Sequence, residues 1–181
     1  MARPDSLDEI EAEVWAQLAQ APKRRSHGWR IGVLATADGD GADARSVVLR
    51  EVDAGNRCLV FFTDSRSPKV RQLQQHPRAT LVLWSADLGW QLRLKVQLSI
   101  ETSGLAVSSR WARLKMSPAA QDYLSPLPPG SAIGTPVPVR DTREHFGVLM
   151  AQVLSVDWLE LHADGHRRAS FDAEGRRWLV P

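Results

Sequence analysis

The chain has 181 residues, 43% of them hydrophobic and 24% charged, with a formal net charge of +2. That balance suits one globular domain with an adequate core and excludes a largely disordered chain. The slight arginine excess is spread along the sequence rather than gathered in a basic tract, which excludes simple nucleic-acid binding, and no apolar run approaches the ~20 residues of a membrane helix. Residues 1–13 are acidic and carry no apolar signal segment, so a cytoplasmic location is expected. Ser6 and Glu9 form a capping-box pattern ahead of the stripe Leu7, Ile10, Val14 and Leu18, which predicts a helix over 6–20. Residues 29–35, 45–52 and 57–63 read as strands. The clusters Asp38-Gly39-Asp40-Gly41 and Asp53-Ala54-Gly55-Asn56 between them suit hairpins and antiparallel pairing.

Ser67 as N-cap and Pro68 at the first helical position open a second helix, with Val70 and Leu73 on its core side and His76-Pro77 as its end. A strand over 78–84 follows. Residues 91–100 are the clearest strand, because Leu92, Leu94, Val96, Leu98 and Ile100 alternate with polar partners. Thr102 or Ser103 is expected to cap a third helix reaching about Met116, and Pro118 to begin a short one. The proline-rich stretch 125–138 reads as a loop or extended crossing segment. Strands over 147–161, 167–171 and 176–180 complete the chain. Seven or eight short strands without regular strand–helix alternation predict a mainly β, α+β fold: one domain over 1–181, an antiparallel barrel with helical insertions.

The chemistry-bearing residues gather in two places. Ser67-Pro68-Lys69-Val70-Arg71 sets two cations in a first helical turn, where each is disfavoured by ~0.3–1 kcal/mol unless an anion binds there. The alternative is that both side chains extend into water. The strand Arg45-Ser46-Val47-Val48-Leu49-Arg50 carries one arginine on each face among apolar neighbours, and each needs an anionic partner or a strand end open to solvent. Cys58, the single cysteine, lies in an apolar run and reads as a small buried hydrophobe. His162, Asp164 and His166 straddle an Asp-Gly turn and lack a fourth ligand, so no metal site is expected.

Taken together, Arg45-Ser46-Val47-Val48-Leu49-Arg50, Phe61-Phe62-Thr63-Asp64, Ser67-Pro68-Lys69, His76-Pro77-Arg78-Ala79, Gln91 and the C-terminal Gly165-His166-Arg167-Arg168 with Trp178-Leu179 resemble, in order and spacing, the pyridoxamine 5′-phosphate oxidase family. The resemblance implies an FMN-binding split β-barrel acting as a homodimer, with flavin at the subunit interface. It implies that Arg45, Lys69 and Ser67 hold the flavin phosphate. Ser46, Val47 and Val48 would line the ring edge with Arg50 beside it, Phe62 and Thr63 would sit by the ribityl and phosphate, and Gln91 would meet the polar edge of the ring. Trp111, Lys115 and Arg167 are the nearest positions to the family's substrate contacts, and a phosphorylated pyridine is the implied substrate. Pro68 stands where the family has arginine, Trp90 precedes Gln91 where arginine is usual, and the family's histidine after Arg167 is missing. These departures imply a retained flavin site beside an altered substrate site and identify no catalytic residue. An FMN-dependent oxidoreductase is therefore expected; the alternatives are a flavin-binding module without turnover, or a split barrel using deazaflavin or haem.

Overall fold

The computed structural model describes residues 3–135 and 143–181. Helix α1, Leu7–Gln20, starts from the expected box: the Ser6 hydroxyl accepts from Glu9 N while the Glu9 carboxylate accepts from Ser6 N. Its stripe Ile10, Val14 and Leu18 is fully buried. Eight strands follow: β1 Ile31–Asp38, β2 Gly41–Asp53, β3 Cys58–Asp64, β4 Arg78–Ser85, β5 Trp90–Glu101, β6 Phe146–Glu160, β7 Arg167–Asp172 and β8 Gly175–Leu179. Helix α2 is Pro68–Gln75 and α3 is Leu105–Leu114.

Every strand pairing is antiparallel, in the order β3-β2-β1-β4-β5-β6-β7-β8, and β3 also pairs with β6, which closes the first six strands into a barrel. The closure is possible because one edge of β6 is shared. Residues 146–152 pair with β3 and residues 156–160 pair with β7. Between those stretches the β5–β6 register slips by one residue opposite Lys95 and Val96, and such a bulge bends and twists a strand away from its neighbour. This is the split in the barrel, and β7–β8 is the hairpin that continues past it. Gly32 lets β1 cross tightly over β4: a Cβ there would lie 2.4 Å from Leu83 Cδ2 and 3.0 Å from the Val82 carbonyl oxygen.

Inward-facing residues of the barrel, among them Leu34, Leu49, Phe61, Leu81, Leu94, Val96 and Leu149, join α1 in one core. A second cluster forms outside the barrel. There α3 sets Val107, Trp111 and Leu114 with Tyr123 against Val60, Phe146 and Val148, the outward residues of β3 and β6.

Three local expectations are corrected. Trp29 opens no strand; it is fully buried in a 3-10 turn, Gly28–Arg30, ahead of β1. Helix α3 begins after Gly104, at φ 89°, rather than after Thr102 or Ser103, because the chain must turn sharply off the end of β5 through a conformation that favours glycine. The helix ends at Leu114, two residues short of Met116. The stretch from Pro118 is a 3-10 helix, Pro118–Tyr123, and the proline-rich run is irregular over 125–135, while 136–138 lie outside the described residues. Among the described residues no helix is long and apolar enough to cross a membrane.

Candidate functional site

At one end of the barrel, β1, β2, β3 and α2 converge on a pocket of about 230 Å³ lined by Asp43, Arg45, Ser67, Pro68, Lys69, Pro129 and Gly130. The period-two geometry of β2 turns Arg45 to the same face as the buried Val47 and Leu49, but at the mouth of the barrel, where the core ends. Ser67 holds the N-cap position of α2, with Pro68 next to it. Its hydroxyl does not cap the helix as expected. It sits 3.2 Å from Thr63 Oγ1 and accepts from Lys69 Nζ at 3.1 Å, and the same ammonium donates to Thr63 Oγ1 at 3.1 Å. Thr63 and Ser67 are buried, so these hydroxyls form a polar floor beneath the ammonium.

The electrostatics of this corner are those of a site short of negative charge. Burial pushes the Lys69 ammonium below the ordinary lysine range, and the nearby Arg45 pushes it further in the same direction. A monoester phosphate placed between them would relieve both effects. It would also find the hydroxyl of Ser67 at the start of α2.

Arg45 is not idle. Its guanidinium donates to the Leu34 carbonyl at 3.2 Å, to Thr36 Oγ1 at 2.6 Å and to Gln72 Oε1 at 2.8 Å, and it pairs with the Asp43 carboxylate. Gln72 Nε2 donates to Asp43 Oδ2 at 3.0 Å, and Thr36 Oγ1 donates to Gln72 Oε1 at 2.7 Å. The hydrogen bond from Gln72, followed by that from Arg45, holds the Asp43 carboxyl below its ordinary range. Sequence pattern alone does not single out Asp43, Gln72 or Thr36; Asp43 does carry a signal, being two residues before Arg45 on the same strand face, and Gln72 and Thr36 carry none.

Beside the pocket, Arg66 pairs with Asp64 and donates to the carbonyls of Ser125, Pro126 and Leu127. This clamps the proline-rich segment so that Pro129 and Gly130 form one wall.

The other face of β2 leads outward. Ser46 is exposed, and Val48 and Arg50 are half-buried. Arg50 lies over the Phe62 ring, 5.6 Å from its centroid, and donates to the Tyr123 hydroxyl at 3.3 Å. Its buried Nε has no hydrogen-bond partner among the described residues. Thus Arg45, Ser67 and Lys69 line one pocket with Thr63 beneath the ammonium, while Ser46, Val48 and Arg50 lie on the other face of β2, Arg50 over Phe62.

The remaining residues singled out in the sequence are elsewhere in the chain. Gln91 pairs across strands with Trp84 and Leu159. With β1 and β4 between β2 and β5, it is three strands round the barrel from Val48. Trp111 packs on Phe146 at the start of β6, with ring centroids 5.2 Å apart, and Lys115 is exposed at the end of α3. Arg167 lies at the opposite end of β6. It donates to both oxygens of Glu160, at 2.7 and 3.1 Å, and to the Pro4 carbonyl at 2.9 Å. A single chain therefore does not bring Arg167 to Trp111 and Lys115, because β6 separates them along its full fifteen residues.

Cys58 is buried, and burial raises its thiol pKa. His162, Asp164 and His166 close a local turn, with Asp164 N donating to His162 Nδ1 at 3.1 Å. No cluster of three potential metal ligands occurs among the described residues.

Comparison with known proteins gives this geometry a context. Residues 12–102, half of the chain, match the family model described as pyridoxamine 5′-phosphate oxidase, FMN-binding domain. The pyridoxine/pyridoxamine 5′-phosphate oxidase of Caulobacter vibrioides is 31% identical over 120 residues, covering 64% of this chain and 53% of that protein. The enzyme of the same description from Thermosynechococcus vestitus is 51% identical over 63 residues, 34% of this chain and 29% of that one. The match thus spans about a third to a half of the length of these relatives. Among solved structures, a pyridoxamine 5′-phosphate oxidase-related, FMN binding protein from Nostoc punctiforme superposes with a TM-score of 0.75 at 24% identity over 94% of this chain and 96% of that one. PhzG from Burkholderia lata, solved with tetrahydrophenazine-1-carboxylic acid, gives 0.72 at 19% identity over 98% and 94%. These neighbours share the split-barrel fold. The matched segment holds Arg45, Ser67 and Lys69, and the chain belongs to the pyridoxamine 5′-phosphate oxidase FMN-binding family, with FMN as its cofactor.

Proposed function

We propose that this protein is an FMN-dependent oxidoreductase whose flavin phosphate is held by Arg45, Lys69 and Ser67. The observation that carries the reading is the convergence of two cations and two buried hydroxyls on one small pocket at the start of α2. When bound, the flavin supplies a hydride acceptor; the protein supplies grip and orientation. From that pocket the strand Ser46-Val47-Val48 leads along the outer face of β2, where backbone groups can meet the ring edge. Arg50, whose Nε has no hydrogen-bond partner among the described residues, stands next to that path.

The reading also calls for a homodimer. Gln91 is far from the phosphate pocket within one chain, and so is Arg167 from Trp111 and Lys115; a second copy is the source from which each can be supplied. The outer face of β1 and β4 supports this, since Ile31, Val33 and Trp84 are 56%, 44% and 44% exposed and lie together as neighbouring outward residues. The substrate proposed is a phosphorylated pyridine, with Lys115 and Arg167 as its anion contacts and with contacts altered from those of the family's oxidases. A flavin-binding module without turnover is the second reading. The commitment of Arg167 to Glu160 and to the N-terminal segment favours it, because that pairing leaves the guanidinium less able to turn to a substrate.

Purified protein is expected to be yellow, to release FMN on denaturation, and to sediment as a dimer. Oxygen consumption with pyridoxine or pyridoxamine phosphate separates the two readings: turnover supports the oxidoreductase, and bound flavin without turnover supports the module. Protein that neither carries FMN nor takes it up would overturn both.

A further inference from the structure

The polar network around Arg45 carries a charge that a phosphate site does not need. Asp43 lines the same pocket as Arg45 and Lys69, on the same face of β2 as Arg45. Its carboxylate is bound to the guanidinium and to Gln72 Nε2, and the Gln72 carbonyl oxygen is bound to Arg45 and Thr36. The other carboxylate near the turn, Asp64, is already satisfied by Arg66. The pocket therefore offers two cations and one carboxylate, a net single positive charge, where a flavin monophosphate brings close to two negative ones.

We propose that Asp43 is an internal counter-ion that competes with the FMN phosphate for Arg45, so that it stabilises the pocket while limiting cofactor affinity. The proposal rests on the assignment of this pocket to the FMN phosphate. Two effects of opposite sign follow from one residue. Without the carboxylate, Arg45 loses its ion pair and its repulsion with Lys69 is less well offset, so the FMN-free fold loses stability. With FMN present, the same loss removes a like charge from beside the phosphate, and binding tightens. A residue that merely positioned Arg45 would behave differently: its loss would weaken FMN binding and stability together.

The test is FMN and riboflavin titration of wild-type, Asp43→Asn and Asp43→Ser full-length protein by flavin fluorescence quenching, with melting temperatures measured with and without FMN. Asn retains a hydrogen-bond acceptor for Arg45, and Ser removes most of the side chain, so one well-folded variant suffices. The expected result is wild-type protein that prefers FMN to riboflavin. Both variants should bind FMN about tenfold more tightly (about 1.4 kcal/mol), bind riboflavin unchanged, melt lower without FMN, and gain more on adding it. A wild-type preference for FMN that the variants leave unchanged or weaken overturns the counter-ion role and leaves the phosphate pocket standing. Wild-type protein that binds riboflavin as tightly as FMN overturns the pocket assignment itself.

Discussion

At one end of the barrel a single carboxylate, Glu160, meets donors from Arg3, Arg167 and Trp90; at the other, Arg45 pairs with Asp43 while the neighbouring ammonium of Lys69 rests on the hydroxyls of Thr63 and Ser67. The residue types are the same and the charge balance is reversed. Glu160 is buried, and burial alone would raise its pKa, yet the hydrogen bonds from Arg167, Arg3 and Trp90 prevail and hold it at about 2. Every acceptor site of that carboxylate is in use, so it ties the N-terminal segment, β5, β6 and β7 together and has little capacity left for a ligand. At the Lys69 end burial and a like charge depress the ammonium's pKa, an imbalance that the proposed phosphate would correct. On that proposal the saturated ion cluster is structural and the unbalanced one, at a pocket, binds the cofactor.

The largest effect that would break this comparison is at Arg45. Arg45→Ala is expected to weaken FMN binding by about 2–4 kcal/mol, as loss of a charge-assisted phosphate contact does, while riboflavin affinity stays near wild type; equilibrium titration of both flavins checks it. Glu160→Gln should do the reverse. Chemical denaturation should report a stability loss of about 3 kcal/mol, the low end of what is expected when a buried ion pair loses one partner, and FMN affinity should remain within about twofold.

The pH dependence of stability sharpens the contrast. Because the folded-state pKa of Glu160 is depressed from an ordinary 4.5 to about 2, its stabilisation is present above pH 4.5 and is lost as pH falls from there towards 2. The Glu160→Gln protein should accordingly show a flatter stability profile across that window in acid titrations followed by circular dichroism. The smallest effect concerns Lys69. Lys69→Met should weaken FMN binding about tenfold, roughly 1.4 kcal/mol, yet leave the melting temperature of FMN-free protein unchanged or slightly higher, since a partly buried ammonium beside a guanidinium is costly to the fold. A marked loss of stability would remove Lys69 from the binding account.

Much of this was legible in the sequence because it is local. The alternation of 91–100 shows directly as β5, the box at Ser6 and Glu9 forms as written, and Ser67-Pro68 starts α2 where the cap rule puts it. The pairing of Arg45 with the Ser67–Lys69 turn came from a family resemblance in order and spacing, and the fold brings them to one pocket. What was not legible depends on contacts far apart in the chain. The first half of β6 is a near-continuous buried run and only its second half alternates, but neither pattern names β3 as the partner of the first and β7 as the partner of the second. Gln72 reads as an ordinary helix-surface glutamine until Thr36 and Asp43 arrive from β1 and β2 to bury it. The Ser67 hydroxyl could have capped α2, but the hydroxyl of Thr63 and the ammonium of Lys69 claim it instead.

A crystal structure of the protein with FMN tests the central claim most directly. The account predicts the phosphate between Arg45 and Lys69, with the Ser67 hydroxyl within hydrogen-bond distance of its oxygens and Asp43 turned away from the guanidinium. A phosphate bound elsewhere, with Arg45 still paired to Asp43 and Lys69 still resting on Thr63 and Ser67, would contradict it.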